Sequence, residues 1–431
     1  MMKILSLSSA GKSAVLQVLQ RPTLNLSMYM EKVRPIIASV RKEGDRALKR
    51  FTKQFDGVDL NQIKVEKDMI EQAKIDIPSE LLASIEFARE NIEKFQREKA
   101  SSKKVKTHKG VECWHQILPV ENVGLYVPGG TAPLVSTVLM LAVPAKLACV
   151  GRIVLCTPPQ KDGSVNPAIL AACALTGVDE VYAVGGAQAI AALAYGTESI
   201  PKVEKIAGPG NAYVTAAKAL VSIDPDGAAI DMLAGPSELL VIADETANPK
   251  FVASDLLSQA EHDTLSQVIL LTTSEMLAKA VQRELQEQLA ILPRREIAGS
   301  SLQGSCCIMV NKLEEAVELS NLYAPEHLSI QTQNPEILVN SIQNAGSVFL
   351  GFYAPESVGD YCSGTNHVLP TSGLARTQSG VSVRTFQKTM SIQNLTQAGL
   401  RELRDATTLL ARTEGLEAHA RAVDIRFQKK R

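Results

Sequence analysis

From Asn122 onward, short apolar runs alternate with stretches of helical periodicity, and few folds accept that pattern. The runs are VGLYV, RIVLC, EVYAV, KVEKI, ELLVIA, QVILLT, CCIMV, LSIQT and SVFL. Helical stretches fall between them, for example near Leu134–Leu147 and over Pro167–Leu175. Such alternation is what parallel sheets wound with crossover helices require, so the sequence predicts an α/β fold. The series divides near Asp244 into two α/β halves of similar size, with no repeat visible residue by residue.

The flanks read differently. After Pro78-Ser79, the residues Leu81, Ile85, Ala88, Ile92 and Phe95 recur at spacings of three and four and predict a helix with one apolar stripe. Ser101 to Gly110 (SSKKVKTHKG) is polar and basic, and reads as an exposed loop. The α/β pattern ends after Gly373. Leu395 to Phe427 reads as helices, with Leu400, Leu403, Leu410, Leu416, Ala420 and Val423 along an apolar edge.

Composition excludes several functions. Lys and Arg number 45 against 46 Asp and Glu, a formal charge of -1. Nucleic acid or an anionic membrane would call for a clustered positive excess, so neither is expected as the main partner. Seven cysteines, an odd number without C-x-x-C spacing, build no disulfide framework and point to a reducing compartment. The longest apolar stretch, Leu134 to Ala145, is broken by Ser136, Thr137 and Pro144, short of the roughly 20 residues a spanning helix needs. No sustained apolar leader precedes Lys12. A cytoplasmic protein is expected.

Four glycine turns follow strands: PGGTAP (Pro128–Pro133), VGGAQA (Val184–Ala189), AGPGNA (Ala207–Ala212) and AGPSE (Ala234–Glu238). Glycine lets the backbone approach a phosphate at the carboxyl ends of parallel strands, where helix N-termini offer N–H donors. A nucleotide-sized crevice is one outcome, and plain tight turns are the other. None spells G-x-G-x-x-G. Among the six histidines, His262 ends a helical stretch three residues after Gln259, which puts both on one face. An imidazole nitrogen and an amide oxygen there, with a carboxylate such as Asp360 and a further imidazole, would make an N/O-rich site suited to zinc. The same spacing also fits an ordinary surface pair. Glu326-His327 follow a Pro-led turn at the start of a strand and are natural general bases, or simply an exposed turn. Cys149, Cys156 and Cys306-Cys307 lie in or beside apolar runs and read as small buried hydrophobes.

Over essentially its whole length the sequence resembles the histidinol dehydrogenase family. The resemblance rests on GLYVPGGTAPLVSTVLMLAVPA, VGGAQAIAALAYGTESIPKVEKIAGPGNAYV, DMLAGPSELLVIAD, ASDLLSQAEHD, APEHLSIQT and SVFLGFYAPESVGDYCSGTNHVLPT. It implies two incomplete Rossmann-like parallel-sheet domains with helical N-terminal and C-terminal segments. Residues 1–25 would form an N-terminal segment. Residues 26–121 plus 244–372 would carry the zinc and catalytic residues, 122–243 would bind NAD, and 373–431 would be a helical tail swapped within a homodimer.

The resemblance also implies roles. Glu326 and His327 would be the catalytic acid/base pair. Gln259, His262, Asp360 and His419 would hold one Zn2+ per subunit. Ser237 and Glu414, with Gln259, His262, His327, Asp360 and His419, would line the substrate site. Tyr126, Gln188 and Asn211 would contact NAD. The implied reaction takes L-histidinol, two NAD and water to L-histidine, in a homodimer with shared active sites. LPTSGLARTQSGVSVRTFQ and the basic loop before Gly110 depart from the family pattern, and neither contains a proposed ligand. Two other classes stand beside this reading. A cysteine-based aldehyde dehydrogenase would need an exposed thiol, for which only Cys113 and Cys362 lie outside apolar runs. A two-lobed binding protein would need an export signal.

Overall fold

The computed structural model describes residues 2–22, 25–97, 103–129 and 133–428. Met1–Arg97 and Val120–Phe386 form one compact unit, and Glu98–Pro119 with Gln387–Arg431 form a second. The first unit contains two fully parallel sheets. The five-stranded sheet runs, edge to edge, Glu180–Ala183, Arg152–Thr157, Asn122–Tyr126, Lys205–Ala207, Ala229–Ile230. Counted along the chain, that is the order 3-2-1-4-5 of an incomplete dinucleotide-binding sheet. The six-stranded sheet runs Lys3–Ser6, Cys306–Met309, Gln267–Thr272, Glu238–Ala243, His327–Gln331, Ser347–Leu350. Its last five members repeat the order 3-2-1-4-5, so the two halves match in topology where their residues do not.

Helices cover both faces of both sheets, which explains the unbroken apolar runs: a strand packed on two sides has no polar face. In Glu238–Ala243 every residue is buried. Leu239 and Val241 pack with Val252 and Leu256 on one face, and Leu240 and Ile242 pack with Val15 and Leu328 on the other.

Two expected boundaries move. Glu238–Ala243 pairs with Gln267–Thr272 and His327–Gln331, so the change of sheet precedes Glu238 rather than falling at Asp244. The helices of residues 26–96 cover the five-stranded sheet, not the half expected for 26–121. Val33, Ile37 and Val40 pack with Val154 and Ile206, and Ile85, Ala88 and Ile92 with Val123 and Leu155. The N-terminal segment supplies an edge strand, Lys3–Ser6, before its helix Leu7–Val18. On the helix Ser79–Gln96 the buried stripe is Ile85, Ala88, Ile92 and Gln96, while Leu81 and Phe95 are exposed.

The second unit holds an antiparallel sheet in the order Gln387–Leu395, Val111–Pro119, Val105–His108. Two expectations are corrected there. Of the basic Ser101–Gly110 loop, Ser101 and Ser102 lie outside the described residues, and Val105–His108 is an exposed edge strand. Charged edge strands resist pairing with other chains, so solvation and strand structure are compatible. The tail expected to be helical from 373 includes the strand Gln387–Leu395 before its helices Gln397–Thr413 and Glu417–Asp424. Among the described residues no helix is long and apolar enough to cross a membrane.

Candidate active site

One residue, Glu238, fixes both members of the Glu326-His327 pair through its backbone. Its N–H donates to Glu326 Oε2 at 2.8 Å, and its carbonyl lies 3.0 Å from His327 Nδ1. A carbonyl only accepts, so Nδ1 carries the proton and Nε2 of the neutral ring keeps a lone pair. Nε2 is buried without a hydrogen-bond partner among the described residues and faces Asp360 Oδ1 at 3.8 Å. Burial pushes the His327 pKa down to about 3; the Glu238 carbonyl opposes this, and the nearby His367 and His262 add to it. Burial likewise raises the Glu326 carboxyl well above its ordinary range, with the Glu238 N–H acting the other way. The pair is therefore an interior one, and the exposed-turn alternative is set aside.

Both strands that meet here, Glu238–Ala243 and His327–Gln331, flank the point where strand order reverses, the usual crevice of such sheets. The usual crevice lies at the carboxyl ends. Glu238 and His327 stand instead at the amino ends.

A second group adjoins the pair. Gln259 is buried on the last turn of the helix Pro249–Ala260, and His262 follows it, exposed. Glu356 and Asp360 lie four apart on the helix Glu356–Tyr361 and so share a face. His327, Glu356 and Asp360 present ligand atoms all within 4.8 Å of one another. With its amide oriented to satisfy both ends, Gln259 donates from its nitrogen to the Glu356 carboxylate. Burial pushes the Asp360 carboxyl up to about 7. Glu356 is raised too, by burial first and then by Asp360, Glu326 and Asp255. Carboxyl groups crowded out of water need protons or a cation, and this donor set of amide oxygen, imidazole and carboxylate suits a divalent ion.

Glu356 and His367 were not singled out from the sequence. The signal for Glu356 was available, an acid four residues before Asp360 behind a helix-opening Pro355. His367 Nδ1 lies 2.9 Å from the Asp360 carbonyl and Nε2 lies 3.2 Å from Thr137 Oγ1. Ser237 directly precedes Glu238, and its carbonyl accepts from the Gln267 N–H at 3.1 Å. His419 and Glu414 belong to the second unit, both exposed, His419 on the helix Glu417–Asp424 and Glu414 at the end of Gln397–Thr413.

Tyr126, Gln188 and Asn211 come together on the wall of a cavity of about 640 Å³ at the carboxyl ends of the five-stranded sheet. The Tyr126 hydroxyl accepts from the Gly186 N–H at 3.0 Å, and Asn211 Oδ1 caps the helix Ala212–Ser222. Gly186 has φ +68°, and a Cβ on Gly208 would stand 2.1 Å from the Tyr126 carbonyl oxygen, so both turns need glycine. Of the expected PGGTAP turn, Gly130, Thr131 and Ala132 lie outside the described residues.

The cysteines divide. Cys156, Cys306 and Cys307 are buried, and burial raises the thiol pKa of Cys306 and Cys307 to about 12. Cys149 is exposed, contrary to expectation, because its left-handed turn (φ +62°) ends the preceding helix at the surface.

A family profile described as histidinol dehydrogenase matches residues 19–427. The chain belongs to the histidinol dehydrogenase family. The histidinol dehydrogenase of Bacteroides thetaiotaomicron is 52% identical over 428 residues, covering 99% of each chain. That of Campylobacter jejuni is 50% identical over 429 residues, again covering 99% of each. The crystal structure of histidinol dehydrogenase from Elizabethkingia anophelis superposes with a TM-score of 0.95 at 46% identity, covering 99% of this chain and 98% of that one. Membership in the histidinol dehydrogenase family makes the chain an oxidoreductase of α/β fold, and the two-lobed binding protein falls away.

Proposed function

We propose that this chain oxidises L-histidinol through L-histidinal to L-histidine, with water and two NAD, in the last steps of histidine synthesis. The observation that carries this is His327: a neutral, buried imidazole with Nδ1 tied and Nε2 free, beside a second buried base. We further infer a cytoplasmic homodimer with shared active sites, one Zn2+ per subunit.

Gln259, His262 and Asp360, with His419, would hold the zinc, which when bound supplies a positive anchor for the substrate's nitrogens. Tyr126, Gln188 and Asn211 would hold NAD, which when bound accepts the hydride of each oxidation. The turn at Gly186, where a helix begins, suits its phosphates. Ser237 and Glu414 would help to hold the substrate.

The remaining chemistry falls to this chain's own groups. His327 Nε2 takes the hydroxyl proton as hydride departs from the alcohol carbon. The Glu238 carbonyl, already accepting from Nδ1, holds the imidazolium that results. Glu326 then takes a proton from water as the water adds to the aldehyde carbon, and the His327 imidazolium returns its proton to the aldehyde oxygen, which leaves a hydrate and a neutral ring. His327, neutral again, accepts the hydroxyl proton of that hydrate as the second hydride leaves. Because residue 238 fixes both bases, the aldehyde meets both without moving between sites.

Two NADH are expected per histidinol consumed, with chelation abolishing turnover and added zinc restoring it. Stopping at one NADH would refute the four-electron course. Full turnover by protein shown metal-free by elemental analysis would refute the zinc. Cys149→Ser and Cys362→Ser are expected to keep substantial activity, since no step uses a thiol. A loss of orders of magnitude in folded, zinc-loaded variants would instead favour a covalent thiol route, as in a cysteine-based aldehyde dehydrogenase.

A further inference from the structure

Glu238 holds the catalytic pair by its backbone, and a guanidinium from far along the chain holds Glu238 by its side chain. Arg21 donates from Nε to Glu238 Oε1 at 2.5 Å and from Nη2 to Oε2 at 2.9 Å. The same Nη2 donates to the carbonyls of Tyr323 at 2.7 Å and Ala324 at 3.2 Å. The guanidinium lies 3.8 Å over the Tyr323 ring. Ala324 is left-handed (φ +55°) without being glycine, and only Pro325 separates it from Glu326. Ser372, also left-handed (φ +57°), donates its N–H to Glu238 Oε1 at 2.8 Å. Backbone held in that region persists where surrounding contacts over-determine it, and it clusters at working sites.

We infer that Arg21 is a positioning residue for the acid/base pair, setting the direction of Glu326 and the tautomer of His327 through Glu238 and the Ala324 turn. The inference rests on the roles proposed above for Glu326 and His327.

Arg21 touches neither catalytic side chain. It grips the two backbones that converge on them, the start of Glu238–Ala243 and the turn leading into His327–Gln331. A planar, five-donor fork can hold a carboxylate on one edge and two carbonyls on another, which a lysine ammonium cannot. Stability alone does not explain the choice, since a buried ion pair is often no better than an apolar pair of the same volume. What the fork adds is the fixed separation of two strands at the point where Glu238 meets His327.

The test uses the zinc-loaded full chain with histidinol and NAD. Arg21→Gln is expected to lower kcat about a hundredfold, the cost of displacing catalytic groups by an ångström, with the histidinol KM within about threefold of wild type. Arg21→Lys, which keeps the charge but not the fork, is expected to remain well below wild type. A role confined to folding would move neither the tautomer nor kcat in folded protein. Spectra of 15N-labelled histidines should therefore show the His327 signals, identified by their absence in His327→Asn, shifting from the Nδ1–H form toward a mixture. The other histidines should stay in place.

Wild-type kcat in either folded variant, unshifted His327 signals, a general shift of all histidines, or failure of both variants to fold would overturn the inference. Wild-type turnover by His327→Asn would refute the parent proposal instead. The 15N signals would still report separately whether Arg21 sets the tautomer.

Discussion

His327→Asn is expected to slow histidinol oxidation by about 10²–10⁴-fold, the usual worth of a positioned general base, and to slow both hydride steps alike. The loss should persist on the acid side. An imidazole of ordinary pKa, about 6.5, protonates below that pH, and wild type would then sink toward the variant. Burial lowers the His327 pKa to about 3, so the ring stays a neutral base well below pH 6. Rate profiles of the two proteins should run apart down to about pH 5, and convergence near pH 6.5 would refute the buried neutral base.

The same shift has a cost in stability with a definite sign. Below about 6.5 the unfolded chain binds a proton that the folded chain refuses, so this residue's contribution weakens as pH falls toward the folded pKa. The raised carboxyls Glu326, Glu356 and Asp360 act oppositely, favouring the folded chain as they take up protons. Glu326→Gln should separate the two halves of the reaction. The first oxidation should proceed, while added histidinal should be oxidised poorly for want of an activated water. Oxidation of histidinal at the wild-type rate would end that assignment.

The sequence carried the sheet-forming runs because burial on two faces demands unbroken apolar strands, and ELLVIA or QVILLT can do little else. It carried less where strands are exposed. VKTH in Val105–His108 and QKTMSIQNL in Gln387–Leu395 are polar edge and surface strands, and their identity comes from pairing with Val111–Pro119 rather than from their own pattern. The boundary set at Asp244 failed for a related reason. ELLVIA looks like one more member of the first series, and only its partners assign it to the second sheet. Within the site, Glu326 and His327 were visible as bases at a strand start, but their burial was not. Arg21 was silent altogether. A lone arginine near a proline says nothing of a glutamate 217 positions away, and contacts of that kind exist only after folding.

The tail poses the remaining question, and one mixing experiment answers it with a large signal. His419 is exposed on its own chain, and Leu409, Leu410 and Leu416 of the same helical stretch are exposed as well. That is apolar surface another chain could cover. If His419 completes the partner's site, as proposed for a dimer with shared active sites, two inactive proteins should complement each other. His327→Asn and His419→Asn, partly unfolded together and refolded so that subunits exchange, would pair at random. In each mixed dimer one site would carry both lesions and the other neither, because it would draw His327 from one chain and His419 from its partner. Half the dimers are mixed and half their sites intact, so activity should recover to roughly a quarter of wild type. Were His419 to serve its own chain, every site would keep one lesion and mixing would restore nothing. No recovery, with exchange verified by mass-tagged subunits, would place His419 in cis and remove the shared site.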